Sequence, residues 1–94
     1  MKKIQAAQSG VPNKKGDLFI KLTPREIGSG TSIELVSSMK KEFGQSILST
    51  TTEILAKYNV EDVLISIEDK GAMDFALRAR LETVLRRAGV GGII

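Results

Sequence analysis

The groups in this 94-residue chain best suited to chemistry attract phosphate rather than perform catalysis. Lys14 and Lys15 lie side by side within QSGVPNKKGD at residues 8–17. There they read either as ordinary solvated turn residues or as flexible point charges for phosphate. A second candidate is the run Asp69-Lys70-Gly71-Ala72, just ahead of an amphipathic stretch. It reads as a capped helix start with a glycine turn, or as a helix start whose free N–H groups receive a phosphate. The stretch that follows is locally basic, with Arg78, Arg80, Arg86 and Arg87 joining Lys70 against Asp74 and Glu82. Such a helix suits an acidic partner surface, a phosphate-rich group or nucleic acid, although arginines on a helix surface are usually just solvated.

What is missing narrows the field further. With neither histidine nor cysteine, the chain lacks the usual imidazole base, the serine–histidine pair, disulfides and most transition-metal sites. No base and nucleophile can be paired, so a self-contained enzyme is not expected. The length and a hydrophobic content of 41% fit one domain, and the net charge of +3 is modest. No apolar run reaches the roughly 18 residues of a membrane span, and MKKIQAAQSG has no secretory core. The expectation is a soluble cytoplasmic protein.

The elements that must position these groups follow from periodicity. Pro12, Asn13 and the glycines predict an exposed loop over residues 8–17. Next, DLFIKLTP alternates Leu18, Ile20 and Leu22 against Phe19 and Lys21, and TSIELVSS alternates Ile33 and Leu35 against Glu34 and Val36. Both read as half-buried strands. Gly28-Ser29-Gly30 between them makes an antiparallel hairpin the simplest pairing. From Met39 the period becomes helical: Met39, Phe43, Ile47, Ile54, Leu55 and Tyr58 line one face of a helix of about five turns. Ser37 or Ser38 can cap its start, and Asn59 can take the left-handed conformation at its end. Gly44 weakens this helix unless a neighbour needs close approach.

VEDVLISIE alternates Val63, Ile65 and Ile67 against Asp62, Leu64 and Ser66 as a third strand, and Asp69 is expected to cap a second helix whose stripe is Met73, Leu77, Leu81, Val84, Leu85 and Ala88. The fold class is α+β: a two-layer sandwich with a small mixed sheet, two helices on one face and a right-handed crossover around the first helix. It forms a single domain over residues 1–94, with a flexible N-terminal segment and loop at 1–16 and a mobile tail at 89–94 whose Ile93 and Ile94 can dock on a partner. Phe75 projects opposite Leu77, on the side of Arg86. An aromatic ring on the wet face suits a partner, and Phe75, Arg78 and Arg86 are the candidate contacts. Phe19, Val36 and Leu64 fall on the sheet face away from the helices, to be covered by a partner or by an added strand around Ile4.

From Phe43 to Arg87 the chain reads FGQSILSTTTEILAKYNV, then DKGA and LRARLE. These strings resemble the acyl carrier (gamma) subunit family of citrate lyase, more closely than the related carrier of malonate decarboxylase. The resemblance implies a noncatalytic carrier working with the citrate lyase alpha subunit (citrate CoA-transferase), the beta subunit (citryl-CoA lyase) and a holo-carrier synthase. In that family a serine in a Glu-Ser-x-Asp context carries triphosphoribosyl-dephospho-coenzyme A through a phosphodiester, and the arm's thiol bears acetyl and citryl units. Here the corresponding loop is Asn13-Lys14-Lys15-Gly16-Asp17. Alignment back from Asp17 puts Lys15 in the serine slot; alignment forward from Gln5 and Ala7 puts Lys14 there. An amine cannot form the serine phosphodiester. Ser9 is the fallback attachment residue. The other readings are an unmodified paralogue that keeps only the docking role and a sequence altered at this position. A small basic nucleic-acid-binding domain remains as an alternative from a different class, although the chain has a single tyrosine and no aromatic strand motif for stacking bases.

Overall fold

The computed structural model describes residues 4–38 and 40–91. The element order is β1 (Ala7–Gly10), β2 (Leu18–Pro24), β3 (Ser32–Ser37), α1 (Lys40–Lys57), β4 (Val63–Asp69) and α2 (Asp74–Arg87). Together they form a mixed four-stranded sheet with both helices on one face, the expected α+β sandwich.

Alternation decides which side chains face the helices. Leu18, Ile20 and Leu22 of β2 and Val63, Ile65 and Ile67 of β4 are all buried, and the register stacks them in rows. Ile20 lies opposite Ile67, which lies opposite Leu35; Leu22 lies opposite Ile65, which lies opposite Ile33. Leu77, Leu81, Val84, Leu85 and Ala88 close this layer from α2, and Ile54 and Leu55 close it from α1.

The expected hairpin between residues 18–24 and 32–37 does not form. The sheet order is β1-β2-β4-β3, so β4 lies between those two strands, antiparallel to β2 and parallel to β3. Central β4 has no exposed position along its length: alternate residues are buried and those between them half-buried. Burying it requires a partner on both edges, and that outcompetes the local pairing. β3, α1 and β4 thus make the parallel crossover unit. Residues 8–10 are not loop either: β1 pairs antiparallel with β2, with Ser9 opposite Ile20. The N-terminal segment therefore adds a strand, but at the sheet edge. It does not cover the open face, where Val36 remains 68% exposed and the Lys21 ammonium lies 5.8 Å from the centre of the Phe19 ring.

Both helices end by the same device. Val60 N–H donates to Leu55 O and Asn59 N–H to Ala56 O, with Asn59 at φ 55°. Val90 N–H donates to Leu85 O and Gly89 N–H to Arg86 O, with Gly89 at φ 92°. This is the Schellman arrangement, in which a left-handed residue lets two late carbonyls find donors. Val90, just after α2, packs against the core. Ile93 and Ile94 lie outside the described residues, as does Met39. Among the described residues no helix is long and apolar enough to cross a membrane.

Candidate functional site

The loop between β1 and β2 is built to display residue 15. Asp17 N–H donates to Lys14 O at 3.1 Å, closing a tight turn of residues 14–17. Gly16 takes φ 81° at its third position, a value that favours glycine there. Lys15 therefore occupies the outer corner, and residues 11–16 are all exposed. Val11 N–H returns to Leu18 O at 3.3 Å. At the strand end, a Cβ on Gly10 would stand 2.0 Å from Leu18 O, so the backbones approach there as only glycine permits.

The turn is fixed to the β4–α2 connection on its other side. Gly16 N–H donates to Lys70 O at 2.7 Å, Lys70 N–H donates to Asp17 O at 3.0 Å, and Asn13 N–H donates to Glu68 Oε1 at 3.2 Å. Asp17 is the hub. Its carboxylate accepts from Leu18 N–H at 2.7 Å and from Arg80 through Nη2 at 3.0 Å and Nε at 3.4 Å. The Leu18 N–H and then the Arg80 guanidinium hold this carboxyl below its ordinary value.

Asp69 is not the cap of α2. The residue flanking that helix is Met73, and it makes no side-chain cap bond. Asp69 instead ties its own turn: Oδ1 accepts Ala72 N–H at 2.9 Å and Gly71 N–H at 3.2 Å, and Oδ2 accepts Ser37 Oγ–H at 2.8 Å. The N–H groups of Gly71 and Ala72 are thus used inside the turn, the usual behaviour of aspartate in such loops.

The remaining candidates are dispersed. Phe75 is 71% exposed, as its helical projection predicts. Arg78 is held by Asp74 at 3.0 Å and Glu53 at 3.8 Å. Arg80 belongs to Asp17 rather than to a partner or to solvent, and Arg87 donates to Gln8 O at 2.9 Å. Arg86 is exposed, but it lies roughly 16 Å along the axis from Phe75, so α2 does not gather the three candidate contacts. With these arginines engaged by their own chain, α2 does not present a continuous basic stripe.

A groove of about 630 Å³ opens beside the same loop, between the starts of α1 and α2. Leu18, Ile47, Ile67 and Leu77 form its floor, with Phe43 and Met73 on its rim. Sequence reasoning missed this feature because it took Phe43 and Met73 for core. It also missed Thr50 and Thr51, which are buried in α1. The gap of seven between Ile47 and Ile54 was the available signal, since a helix stripe needs something at 50 or 51. Thr51 fits there because its Oγ1–H donates to Ile47 O at 2.8 Å.

Comparison with known proteins settles the family. Residues 4–88 match the acyl carrier family model described as malonate decarboxylase delta subunit (MdcD). The chain belongs to that acyl carrier family. A relative, citrate lyase acyl carrier protein 1 of Salmonella paratyphi A, is 41% identical over 75 residues, covering 80% of this chain and 76% of the relative. As a carrier, the chain is a noncatalytic subunit. The strings that carried the resemblance have structural work within this carrier. Tyr58 Oη–H donates to Glu82 at 2.6 Å, Leu81 and Val60 are core, and Gly44 is buried, with its Cβ position 3.9 Å from Leu35 Cδ2.

The residues present do not fit a serine-linked prosthetic group. The exposed corner of the loop offers the amines of Lys14 and Lys15. The one hydroxyl in the preceding segment, Ser9, is 1% exposed on the helix-covered face, and its Oγ finds no hydrogen-bond partner. That hydroxyl cannot enter another protein's active site while β1 is paired.

Proposed function

We propose that this chain occupies the acyl-carrier position of a citrate-lyase-type complex, between alpha (citrate CoA-transferase) and beta (citryl-CoA lyase) subunits, and that its attachment slot is lysine. The supporting observation is the placement of residue 15. It stands at the exposed outer corner of a turn hydrogen-bonded through Asp17, Lys70 and Glu68, a place a transferase can reach. Lysine there leaves the docking function and removes the serine phosphodiester to triphosphoribosyl-dephospho-coenzyme A. Phe43, Met73 and Phe75, all exposed large apolar groups, surround the same end and are the contacts expected at a partner's active-site mouth.

The test is a double variant, Lys14→Glu with Lys15→Ser, which restores the Glu-Ser-Gly-Asp context on an unchanged mount. A citrate lyase holo-carrier synthase should then add one prosthetic group, read as a mass increment on residue 15. A folded double variant that stays unloaded, while a true carrier loads in parallel, would show that the surfaces read by the synthase have diverged.

A further inference from the structure

Ile27 is 99% exposed, more than any other large apolar side chain among the described residues. It is nevertheless not on a slack loop. Ser29 N–H donates to Glu26 O at 3.0 Å and Ser29 Oγ–H to the same oxygen at 2.6 Å, closing a turn of residues 26–29 with Gly28 at φ 89°. This repeats the construction of the Lys14–Asp17 turn, with glycine in the third place and the displayed residue at the outer corner. Asp62 then fixes the turn from β4's leading end. Its Oδ1 accepts Gly30 N–H at 2.8 Å, and its backbone O accepts Arg25 N–H at 2.8 Å. Arg25 closes the ring by donating from Nη1 to Gly30 O at 3.0 Å and to Ser32 Oγ at 2.9 Å.

A preorganised mount lowers the ordering cost of association, and an aliphatic group at its apex can release water only by entering an apolar socket. The mount's location says what kind of partner supplies the socket. β2 runs seven residues from Leu18, beside the Lys15 turn, to Pro24, beside the Ile27 turn. The two turns therefore lie at opposite ends of the sheet, separated by about 20 Å of strand. A carrier that brings one end to successive active sites must be held, if it is held, by the other. The charges tied to the Ile27 turn are net acidic: Glu26, exposed within it, and Asp62, which holds it, stand against the guanidinium of Arg25.

We propose that the Ile27 turn anchors this chain in its complex, Ile27 entering an apolar, basic-rimmed socket on a non-carrier subunit while the Lys15 end stays free. This rests on the carrier reading above. The experiment measures association of the full chain with a reconstituted alpha–beta assembly, for wild type and the variants Ile27→Ser, Asp62→Gly and Val36→Ser. Ile27→Ser should unfold at the wild-type temperature and bind roughly 30-fold more weakly, the scale of a lost anchor residue. Asp62→Gly keeps the positive φ of Asp62 and removes the carboxylate that holds the turn, so it should also weaken binding. Val36→Ser, an equally plain loss of exposed apolar surface, should bind as wild type. Undiminished binding by Ile27→Ser overturns the anchor and leaves the carrier reading standing. Failure of wild type to bind the alpha–beta assembly overturns that reading and the anchor with it. Concentration-dependent self-association of wild type that Ile27→Ser abolishes would identify the socket as a second copy of this chain, which also contradicts the proposal.

Discussion

Arg80 on the second helix grips Asp17 at the mouth of the first long strand, Nη2 to Oδ2 at 3.0 Å and Nε to Oδ1 at 3.4 Å, across 63 positions of sequence. The pair couples the displayed loop to the core through one carboxylate. Its folded pKa is depressed below 3.8, so its stabilisation is full above the unfolded value and is lost as pH falls through the lower, folded value. Asp17→Asn should therefore lower the unfolding temperature at pH 7, and its deficit relative to wild type should shrink as pH falls below about 4. Thermal scans from pH 7 to 2 check this. A deficit independent of pH would mean that the charge of Asp17 is not what holds the loop.

Leu77→Ala should cost about 2–5 kcal/mol, the range for truncating a buried leucine. Leu81, fully enclosed, should cost more on the same change than Leu77, which borders the groove. Chemical denaturation of the two variants decides it. A loss below about 0.5 kcal/mol for either, the scale of surface substitutions, would place it outside the core.

Ser9→Ala should be neutral or stabilising by up to about 1 kcal/mol, because the buried Oγ loses its water without gaining a partner. Destabilisation would reveal a bond to that hydroxyl that the structure lacks.

Phe75→Ala should change stability by less than about 0.5 kcal/mol, since the ring is on solvent, and should weaken association with the alpha or beta subunit. Unfolding of the free variant, compared with its binding to the assembled complex, separates the two effects. A large stability loss with binding intact would make Phe75 a packing residue.

How much of this was legible in the sequence depends on whether each signal was local. Alternation at Leu18, Ile20 and Leu22 and at Val63, Ile65 and Ile67 named the buried faces correctly, and the positive φ of Asn59 followed from its place after a helix. Strand order did not follow, because the glycines at 28 and 30 argue for a hairpin while the decisive demand, two neighbours for β4, is set by the whole sheet. The short β1 carries little apolar signal of its own and exists because Ala7 and Ser9 pack beneath α2. At the site, the exposed loop bearing Lys14 and Lys15 followed from its turn residues, their place in the attachment slot only from the family resemblance, and the exposure of Phe75 from helix projection. Arg80's true partner was invisible, since nothing local links position 80 to position 17. The role of Ile27 was likewise hidden, because its turn is fixed by Asp62 from a distant strand.

The most direct test of the central claim is the intact mass of the wild-type chain made together with a citrate lyase holo-carrier synthase, followed by peptide mapping of residues 4–17. The account predicts the bare sequence mass, because the displayed corner holds Lys15 and the nearby hydroxyl of Ser9 is buried. An added prosthetic group on Ser9 would contradict the pairing of β1. One anywhere outside that segment would contradict the assignment of the attachment loop itself.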